Sequence, residues 1–574
     1  MVIDFDKFDS DDDLNCNLCI IGAGAAGITL AREFNNTKIN VILVESGGIE
    51  YDHQIQMLYD GETYITEGSI RRKAYYNSLM GWRLRFFGGT TNHWSGGCKP
   101  FRDIDFEKRS WISNSGWPIN ASDLEKYYRR AEKVMQLSSS LYSDELWHHL
   151  NITPFEFDKD KIESWFQQRS GFLKEAGNPD SWRDITGKSI GALKFGKKYR
   201  NELFDSNNVK VLLHANAVDL ITNNDINHVN SLKISNLSRV RESKIIADTF
   251  VLCAGGFENP RILLNSGNRD NGGIANNNGL VGKYYLGHPF AEFGTLVTRD
   301  QEHADKLGHD FSMNKVFRKN LLEPHLRFSN ACLNNNKMLN CGISLLLSPD
   351  KNSGIYSAIQ IYKQLILNKT LPNNLTKNMI NVLKDIDDVI VQSFRNASDD
   401  PSSSYTTSRF VIPTEQSIRI WGIVEQAPIS DSKVHLSTNQ DELGLNKIIV
   451  DWKLNGQEKQ TMRRALIILG NEFGRLNIGR VKIDDWLLED DNLLGPLSDT
   501  GIGSHPAGTT RMSTTSVSGV VDVNCRSHFI DNLYISGSSI FPTNSYVSPT
   551  TTIVALSIKL ADHIKRNLVH KSQT

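Results

Sequence analysis

The sequence predicts an α/β protein in which a βαβ unit is joined to a second, more β-rich part. Three observations support this prediction. Residues 16–48 have the pattern of strand, glycine turn, helix and strand. Residues 209–253 contain apolar strands separated by polar turns, and residues 550–566 have the apolar spacing of an amphipathic helix. Length alone, at 574 residues, suggests about four units as a starting expectation.

The middle of the chain is less regular. Residues 416–437 and 447–453 alternate as sheet strands do, and residues 457–477 have helical composition. Two helices are predicted near 355–368 and 376–395, but residues 291–415 contain no recognisable chemical motif.

Composition excludes several classes of protein. Lys and Arg total 64 against 65 Asp and Glu, so no basic excess points to nucleic acid. The sequence has no apolar run of about 18 residues, so no transmembrane segment is expected. Residues 1–13 are acidic and lack the features of a signal peptide, which makes a cytoplasmic location the default expectation.

Cysteine and histidine spacing favours neither a disulfide framework nor a metal site. The chain has seven Cys, and the Cys16/Cys19 pair lies in an apolar run typical of a buried strand. Neither a second C-x-x-C nor an H-E-x-x-H motif is present, so no metal is expected.

The glycine turn of the first βαβ unit has the composition of a dinucleotide site. Gly22, Gly24 and Gly27 spell G-x-G-x-x-G between the predicted strand and helix, and Glu45 follows the second strand. The first glycine allows a tight turn, the second lets the backbone approach a pyrophosphate, and the third lets the helix pack on the strand. Glu45 is expected to accept hydrogen bonds from ribose hydroxyls. The motif alone does not separate FAD from NAD.

A second glycine-rich segment covers residues 88–97, Gly-Gly-Thr-Thr-Asn-His-Trp-Ser-Gly-Gly. Two glycine pairs bracket small polar residues, so the backbone can run close to a flat ring and present its N–H groups. Composition alone indicates only an unusual loop.

Together these motifs resemble the glucose–methanol–choline (GMC) flavin oxidoreductases, and His93-Trp94 most resembles the branch of pyranose oxidases and membrane-type sugar dehydrogenases. The matching blocks follow one another in order and leave residues 290–415 unmatched. They are the glycine turn, 88–97, 115–119, 124–128, 253–261, 504–509, 531–535, 541–543 and 549–550.

The resemblance implies FAD as the cofactor. It gives His93 two alternatives: a covalent bond to the flavin, or noncovalent packing near the ring. Backbone N–H groups near 547–550 are expected to face the flavin pyrimidine. The full set of expected FAD contacts is Gly22, Gly24, Ala25, Gly27, Glu45, Gly89, Thr90, Asn92, His93, Trp94, Ala217, Ala254, Gly255, Gly537, Val547, Pro549 and Thr550.

The resemblance also implies a catalytic base. His505 lies in a Gly- and Pro-containing loop, and an imidazole can take a hydroxyl proton near neutral pH. The family places a second His or Asn about 40 residues later, but here that position is Ser548, which supplies one shorter hydroxyl. Asn544 lies nearby and is a candidate to compensate. His288 is interpreted as a turn residue of the flavin domain.

The expected organisation is a discontinuous Rossmann-like FAD-binding domain over 1–110, 205–290 and 495–574. Residues 111–204 and 291–494 are expected to form an α+β substrate domain built on an antiparallel sheet. The expected reaction oxidises a CH–OH group of a sugar, glycoside or polyol, with oxygen, a quinone or a carrier protein as the acceptor. Two alternatives remain open: atypical or non-redox chemistry, suggested by Ser548, and a flavin-binding subunit without turnover.

Overall fold

A computed structural model gives the fold of the chain. It describes most of the sequence, including the helix Leu375–Lys384 and a few isolated positions between 354 and 386. The continuous described ranges are 1–8, 13–67, 70–74, 79–171, 182–183, 189–190, 192–269, 272–311, 315–347, 417–489, 495–497 and 502–571.

An eight-stranded sheet contains the predicted βαβ unit. Leu14–Ile21 pairs in parallel with Val41–Val44 on one side and with Glu242–Leu252 on the other, and Leu533–Ile535 extends the parallel part beyond Glu242–Leu252. Fully apolar runs such as Val41–Val44 are expected of strands buried on both faces. The remaining strands are Val2–Asp4 and Val209–Leu213 at one edge, and Val229–Ser235 and Asn216–Thr222 at the other.

A second eight-stranded sheet is antiparallel throughout. Four of its eight strands come from the region in which the sequence showed no motif. They are Gly97–Cys98, Ile162–Arg169, Phe290–Thr298, Lys315–Phe317, Asn320–Phe328, Cys341–Leu347, Ser417–Val424 and Gly479–Ile483.

Two smaller sheets complete the strands. Lys433–Gln440, Asn446–Lys453, Gly61–Glu67 and Ile70–Lys73 form a four-stranded sheet, and Trp182–Arg183 pairs with Ser189–Ile190.

The helices surround these sheets. The C-terminal helix Thr550–Lys571 packs against Ala25–Phe34 and Ala121–Val134. In the stretches that the structure describes without a gap, the other α-helices are His53–Met57, Asp103–Phe106, Glu145–His149, Phe195–Phe204, Gly255–Asn265, Gln301–Asp310, Asn330–Asn335, Leu375–Lys384, Gln457–Arg475 and Asp485–Leu488. Short 3₁₀ helices occupy Phe5–Lys7, Gly89–Asn92 and Ser538–Ile540.

Two large hydrophobic cores follow the two large sheets. One surrounds the parallel strands and the inner face of the C-terminal helix, and the other lies under the antiparallel sheet and the helix Gln457–Arg475. Both Cys16 and Cys19 belong to a strand, as their apolar setting predicts.

The observed elements confirm the predicted α/β class, with its Rossmann-like unit and antiparallel sheet. The helix predicted at 376–395 corresponds in part to Leu375–Lys384, whereas most of the one predicted at 355–368 lies outside the described residues. The strands Gly61–Glu67 and Gly97–Cys98 pair with strands of the predicted substrate domain. These pairings cross the predicted boundary between the FAD-binding domain and the substrate domain, so the domain boundaries stay a prediction. Within the described ranges, no helix is long and apolar enough to cross a bilayer.

Candidate active site

A cavity of about 780 Å³ lies between the carboxyl ends of the parallel strands and the antiparallel sheet. This volume falls within the roughly 300–1,000 Å³ typical of ligand and cofactor sites. Residues from the glycine turn, the 88–97 segment, the 253–261 block and the loops around His505 and Ser548 all line it. Blocks that are far apart in the sequence therefore meet at one site.

The glycine turn has the backbone that a pyrophosphate site requires. Gly22 has φ +103°, and a Cβ on Gly27 would come within 1.9 Å of the carbonyl oxygen of Gly22. A Cβ on Gly24, by contrast, would meet no atom within 4 Å, and Gly24 lines the cavity. The helix that starts at Ala25 has no side-chain cap, so its first N–H groups remain available to an anion.

Glu45 is held at the edge of this turn. Its carboxylate accepts hydrogen bonds from the N–H of Ala23 at 2.8 Å and of Gly47 at 3.1 Å, and burial raises its pKa. The side chain also lines the cavity, where the sequence placed it.

The 88–97 segment packs directly on the glycine turn. The N–H of Gly88 donates to the carbonyl of Ala23 at 2.9 Å, and a Cβ on Gly89 would come within 3.1 Å of the Cα of Gly24. Beyond the 3₁₀ helix, Trp94 is fixed by a hydrogen bond from its Nε1 to the carbonyl of Leu193 at 2.9 Å. The segment thereby presents His93 and Trp94 to the cavity.

Positive charge borders the same space. Glu258 accepts hydrogen bonds from Arg83, Arg85 and Arg261. Although burial alone would raise the pKa of Glu258, the three guanidinium groups lower it to about 2. Three cations thus share one carboxylate here, although Arg261 also pairs with Asp441. The guanidinium groups on this wall suit the anionic phosphates of a dinucleotide.

Most residues predicted to bind FAD or substrate lie on the cavity wall. Gly27, Asn92, Asn544 and Val547 are not among the lining residues. Gly27 acts in helix packing, and the Asn92 side chain donates to the carbonyl of Phe87 at 3.0 Å. The predicted residues that do line the wall are Gly22, Gly24, Ala25, Glu45, Gly89, Thr90, His93, Trp94, Ala217, Ala254, Gly255, His505, Gly537, Ser548, Pro549 and Thr550.

His505 is placed by two paired loops. Leu286 and Ala507 exchange backbone hydrogen bonds of 2.9 Å, and the N–H of His288 donates to the carbonyl of Ser504 at 3.1 Å. His505 itself has φ +55°, a left-handed conformation that is uncommon outside glycine. This pairing brings the imidazoles of His288 and His505 together at the cavity.

The hydrogen bonds of these two imidazoles fix their tautomers. The Nε2 of His288 lies 3.2 Å from the carbonyl oxygen of Asn544, which can only accept, so this nitrogen carries the proton. With both rings neutral, the Nδ1 of His288 is an acceptor and receives the Nδ1–H of His505 at 2.8 Å. The Nε2 of His505 is then left as the unprotonated nitrogen.

Burial keeps both rings neutral. Desolvation lowers the pKa of His505 to about 4, and desolvation together with the neighbouring His505 lowers the pKa of His288 to about 3. His505 is therefore a base that is already deprotonated at neutral pH.

Two sequence interpretations require correction. His288 is not a simple turn residue: it is fully buried and hydrogen-bonded to His505. Asn544 does not take the place of the missing second active-site residue, because it does not line the cavity: its Nδ2 donates to the carbonyl of Gly287 at 2.7 Å, and its backbone carbonyl accepts from His288. Asn544 therefore holds the ring of His288 in place through its backbone carbonyl.

One set of lining residues was not predicted from the sequence. These are polar and aromatic side chains on the antiparallel sheet and beside it, and they face the cavity. The set comprises Lys99, Gln167, Arg169, Phe290, Glu323, His325, Trp421 and Tyr546. Alternation of polar and apolar residues from Glu323 to Phe328 is the signal that marks Glu323 and His325.

The described residues contain one group of three potential metal ligands, Asp4, Asp6 and His214, at the edge of the parallel sheet. It contributes nothing to the cavity wall.

Comparison with known proteins supports the family. The profile of the GMC oxidoreductases matches residues 428–557. The fructose dehydrogenase large subunit of Gluconobacter japonicus is 24% identical over 334 residues, or 49% of this chain and 60% of that protein. The 2-methyl-1,2-propanediol dehydrogenase of Mycolicibacterium austroafricanum is 21% identical over 511 residues, or 83% of this chain and 80% of that protein.

The solved structures agree on the fold. A formate oxidase variant from Aspergillus oryzae, studied for its FAD modification, aligns with a TM-score of 0.55 and 17% identity, over 98% of this chain and 100% of that chain. The glycine turn, the uncapped helix start and the surrounding arginines have the geometry that a flavin dinucleotide requires. The chain is a member of the GMC family of FAD-dependent oxidoreductases.

Proposed function

We propose that the protein oxidises a CH–OH group of a sugar, glycoside or polyol, with His505 as the base. The observation that carries the proposal is the hydrogen-bond chain from Asn544 through His288 to His505, which leaves a neutral imidazole nitrogen on a residue of the FAD cavity wall. Names such as fructose dehydrogenase and 2-methyl-1,2-propanediol dehydrogenase among the relatives support a hydroxyl-bearing substrate.

The chain's own residues account for the handling of the proton. The Nε2 of His505 accepts the hydroxyl proton of the substrate, which raises electron density on the carbinol carbon. His288 and the carbonyl of Asn544 hold the ring in its productive tautomer. Ser548, on the same wall, offers one hydroxyl to the substrate oxygen. When bound, FAD supplies the hydride acceptor at N5.

A panel of sugars, glycosides and polyols, added to the FAD-loaded enzyme without oxygen, tests the proposal. Bleaching of the flavin absorbance by at least one compound is expected. Subsequent addition of oxygen, a quinone or a carrier protein then identifies the acceptor. If no hydroxyl compound bleaches the flavin, the proposal is wrong.

Ser548 keeps a second candidate function open. The loss of the usual His or Asn at this position favours atypical or non-redox chemistry on the same flavin site. Conversion of a compound without any change in flavin absorbance would support that candidate, whereas a flavin-binding subunit without turnover would show neither conversion nor bleaching.

His288 is expected to act as a positioning residue for His505. His288→Leu removes the acceptor for the Nδ1–H of His505, so we expect flavin reduction to slow about 10- to 100-fold, as misorientation of a catalytic group does. His288→Asn retains an acceptor oxygen and should recover much of the rate. Stopped-flow measurement of flavin reduction checks both variants.

The pH profile of flavin reduction shows whether His288→Leu acts by misplacing His505 or only by damaging the structure. Because burial lowers the pKa of His505 to about 4, its base form predominates above about pH 5, and the wild-type rate should fall only below that pH. His288→Leu should change the position of this acid limb, because the ring environment of His505 changes. A uniform loss with an unchanged limb would contradict the positioning role.

The covalent alternative at His93 stays a prediction. His93 lines the cavity, as either alternative requires. If the bond forms, acid precipitation should leave the yellow colour with the protein, and His93→Ala should release it. Yellow colour recovered wholly in the supernatant of the wild-type protein would exclude the bond.

A further inference from the structure

The antiparallel sheet presents a charged face to the cavity. In its register, Glu323 lies opposite Gln167, and because side chains alternate along a strand, Arg169 and His325 fall on the same face. All four side chains line the cavity. The described contacts give each of them a partner within the protein.

The side chains of this face are joined to other protein groups by hydrogen bonds of 2.5–3.2 Å. Arg169 donates to Glu323 at 2.5 Å, and Gln167 donates to the same carboxylate at 3.2 Å. His325 shares a hydrogen bond of 2.8 Å with the hydroxyl of Ser344. The charge of Glu323 is therefore balanced by Arg169.

Lys99 is the exception among these charged groups. It follows the edge strand Gly97–Cys98, lines the cavity and is only 2% exposed. Its Nζ makes no hydrogen bond or ion pair with any residue that the structure describes. Its Nζ lies over the face of the Tyr546 ring, 4.7 Å from the centroid.

Tyr546, whose ring faces the Nζ of Lys99, carries a polar group of its own. Its hydroxyl is buried and has no hydrogen-bond partner in the described part of the chain, although the residue lines the cavity. Buried polar groups are nearly always paired, by protein, water or ligand. An ammonium and a phenol hydroxyl, both donors, are thus left for a ligand that accepts.

The surrounding charges leave one positive charge in excess. Burial lowers the pKa of Lys99 to about 7. Arg327 nearby is already balanced by Glu163, at 2.6 Å. The groups that face Lys99 are Glu323 and Asp105, which favour its charge, Arg327 and Arg102, which oppose it, and Tyr546 against its Nζ.

We infer that Lys99 and the hydroxyl of Tyr546 bind a carboxylate of the substrate, so that the substrate is a hydroxy acid of the sugar-acid type. This inference rests on the proposed function, which supplies the hydroxyl to be oxidised. A single carboxylate matches the one positive charge in excess in this cluster. A phosphate dianion would leave a buried negative charge, and a neutral hydroxyl would leave the ammonium uncompensated.

Matched ligands test the inference on the FAD-loaded enzyme. Binding of glucose and glucuronate, galactose and galacturonate, and glucose 6-phosphate is measured by calorimetry without oxygen, and reduction by flavin absorbance. The uronates should bind about 10- to 100-fold more tightly than the neutral sugars, as a charge-assisted hydrogen bond provides. Lys99→Met should abolish this preference, whereas the surface variant Lys38→Met should retain it.

The pH dependence of uronate affinity gives a second test, measured first on the unmodified protein and then on a Lys99 variant. Because Lys99 loses its charge above about pH 7, uronate affinity should fall by up to about tenfold per pH unit above that value. In Lys99→Met, or in Lys99→Gln if the Met variant does not fold, this dependence should disappear. A dependence that persists in the variant belongs to another group and overturns the inference.

The outcomes separate this inference from the proposed function. Equal affinity for neutral sugars and uronates, tighter binding of glucose 6-phosphate than of the uronates, or an unchanged preference in the Lys99 variants overturns the carboxylate site. If a neutral sugar still bleaches the flavin, the oxidation proposal stands without it. Uronate binding that depends on Lys99 but never reduces the flavin supports the site and contradicts the oxidation proposal.

Discussion

His505→Ala should reduce the rate of flavin reduction by substrate about 10²- to 10⁴-fold, the contribution typical of a positioned general base. The side chain is a neutral imidazole on the cavity wall whose Nδ1 is engaged by His288, and alanine removes the proton acceptor. Stopped-flow reduction under anaerobic conditions measures the loss. The bound FAD should remain, since the glycine turn is untouched.

Ser548→Ala is the matched comparison for this prediction. The hydroxyl is on the same wall, but it supplies one hydrogen bond and is not the proton acceptor, so its loss should cost much less. Equal losses in the two variants would mean that the roles of His505 and Ser548 have been ranked wrongly.

Gly27→Ala should destabilise the protein whether or not FAD is bound. The added Cβ would lie 1.9 Å from the carbonyl oxygen of Gly22, so helix and strand must separate. Overpacking of this kind costs about 1–3 kcal/mol, and contact with backbone places the cost at the upper end. Urea unfolding of the FAD-free protein measures the change.

Gly24→Ala provides a control three residues away with the opposite expectation. A Cβ at Gly24 meets no protein atom, and the residue already has φ −82°, so the stability of the FAD-free protein should change by less than about 1 kcal/mol. FAD affinity should fall about tenfold or more, because the methyl group stands where the backbone approaches the pyrophosphate. If Gly24→Ala destabilised the FAD-free protein as much as Gly27→Ala, the assignment of separate packing and binding roles would be wrong.

Local rules explain why the nucleotide half of the fold is predictable. The turn at Gly22 and the helix from Ala25 depend on residues adjacent in the chain, and the fully apolar strand Val41–Val44 fits a buried parallel sheet. That parts far apart in the chain meet in one domain was predicted only from the resemblance of separate blocks to the family.

The cavity face of the antiparallel sheet is harder to predict, because the residues that meet there depend on the register in which its strands pair. In Asn320–Phe328 the polar residues Glu323, His325 and Arg327 alternate with apolar ones, yet Pro324 argues against a strand. The structure accommodates Pro324 because the neighbouring strand Cys341–Leu347 pairs only with Leu326 and Arg327. Proximity of this face to Lys99 follows from pairings that the sequence alone does not reveal.

The His288–His505 pair was missed for a related reason. The two residues are separated by 217 positions, and the backbone pairing of Leu286 with Ala507 is what brings them together. A lone His in Gly-His-Pro gives no sign of that partner.

The parallel sheet also has a consequence for how the protein folds. Its strands join residues that are remote in the chain: Val211 pairs with Val2, and Phe250 pairs with Leu533. Such non-local pairings are slow to form, because the chain must close large loops before contacts stabilise them. During synthesis the cavity wall remains incomplete until residues 503–553 emerge, so FAD capture is expected as a late event that marks a completed fold.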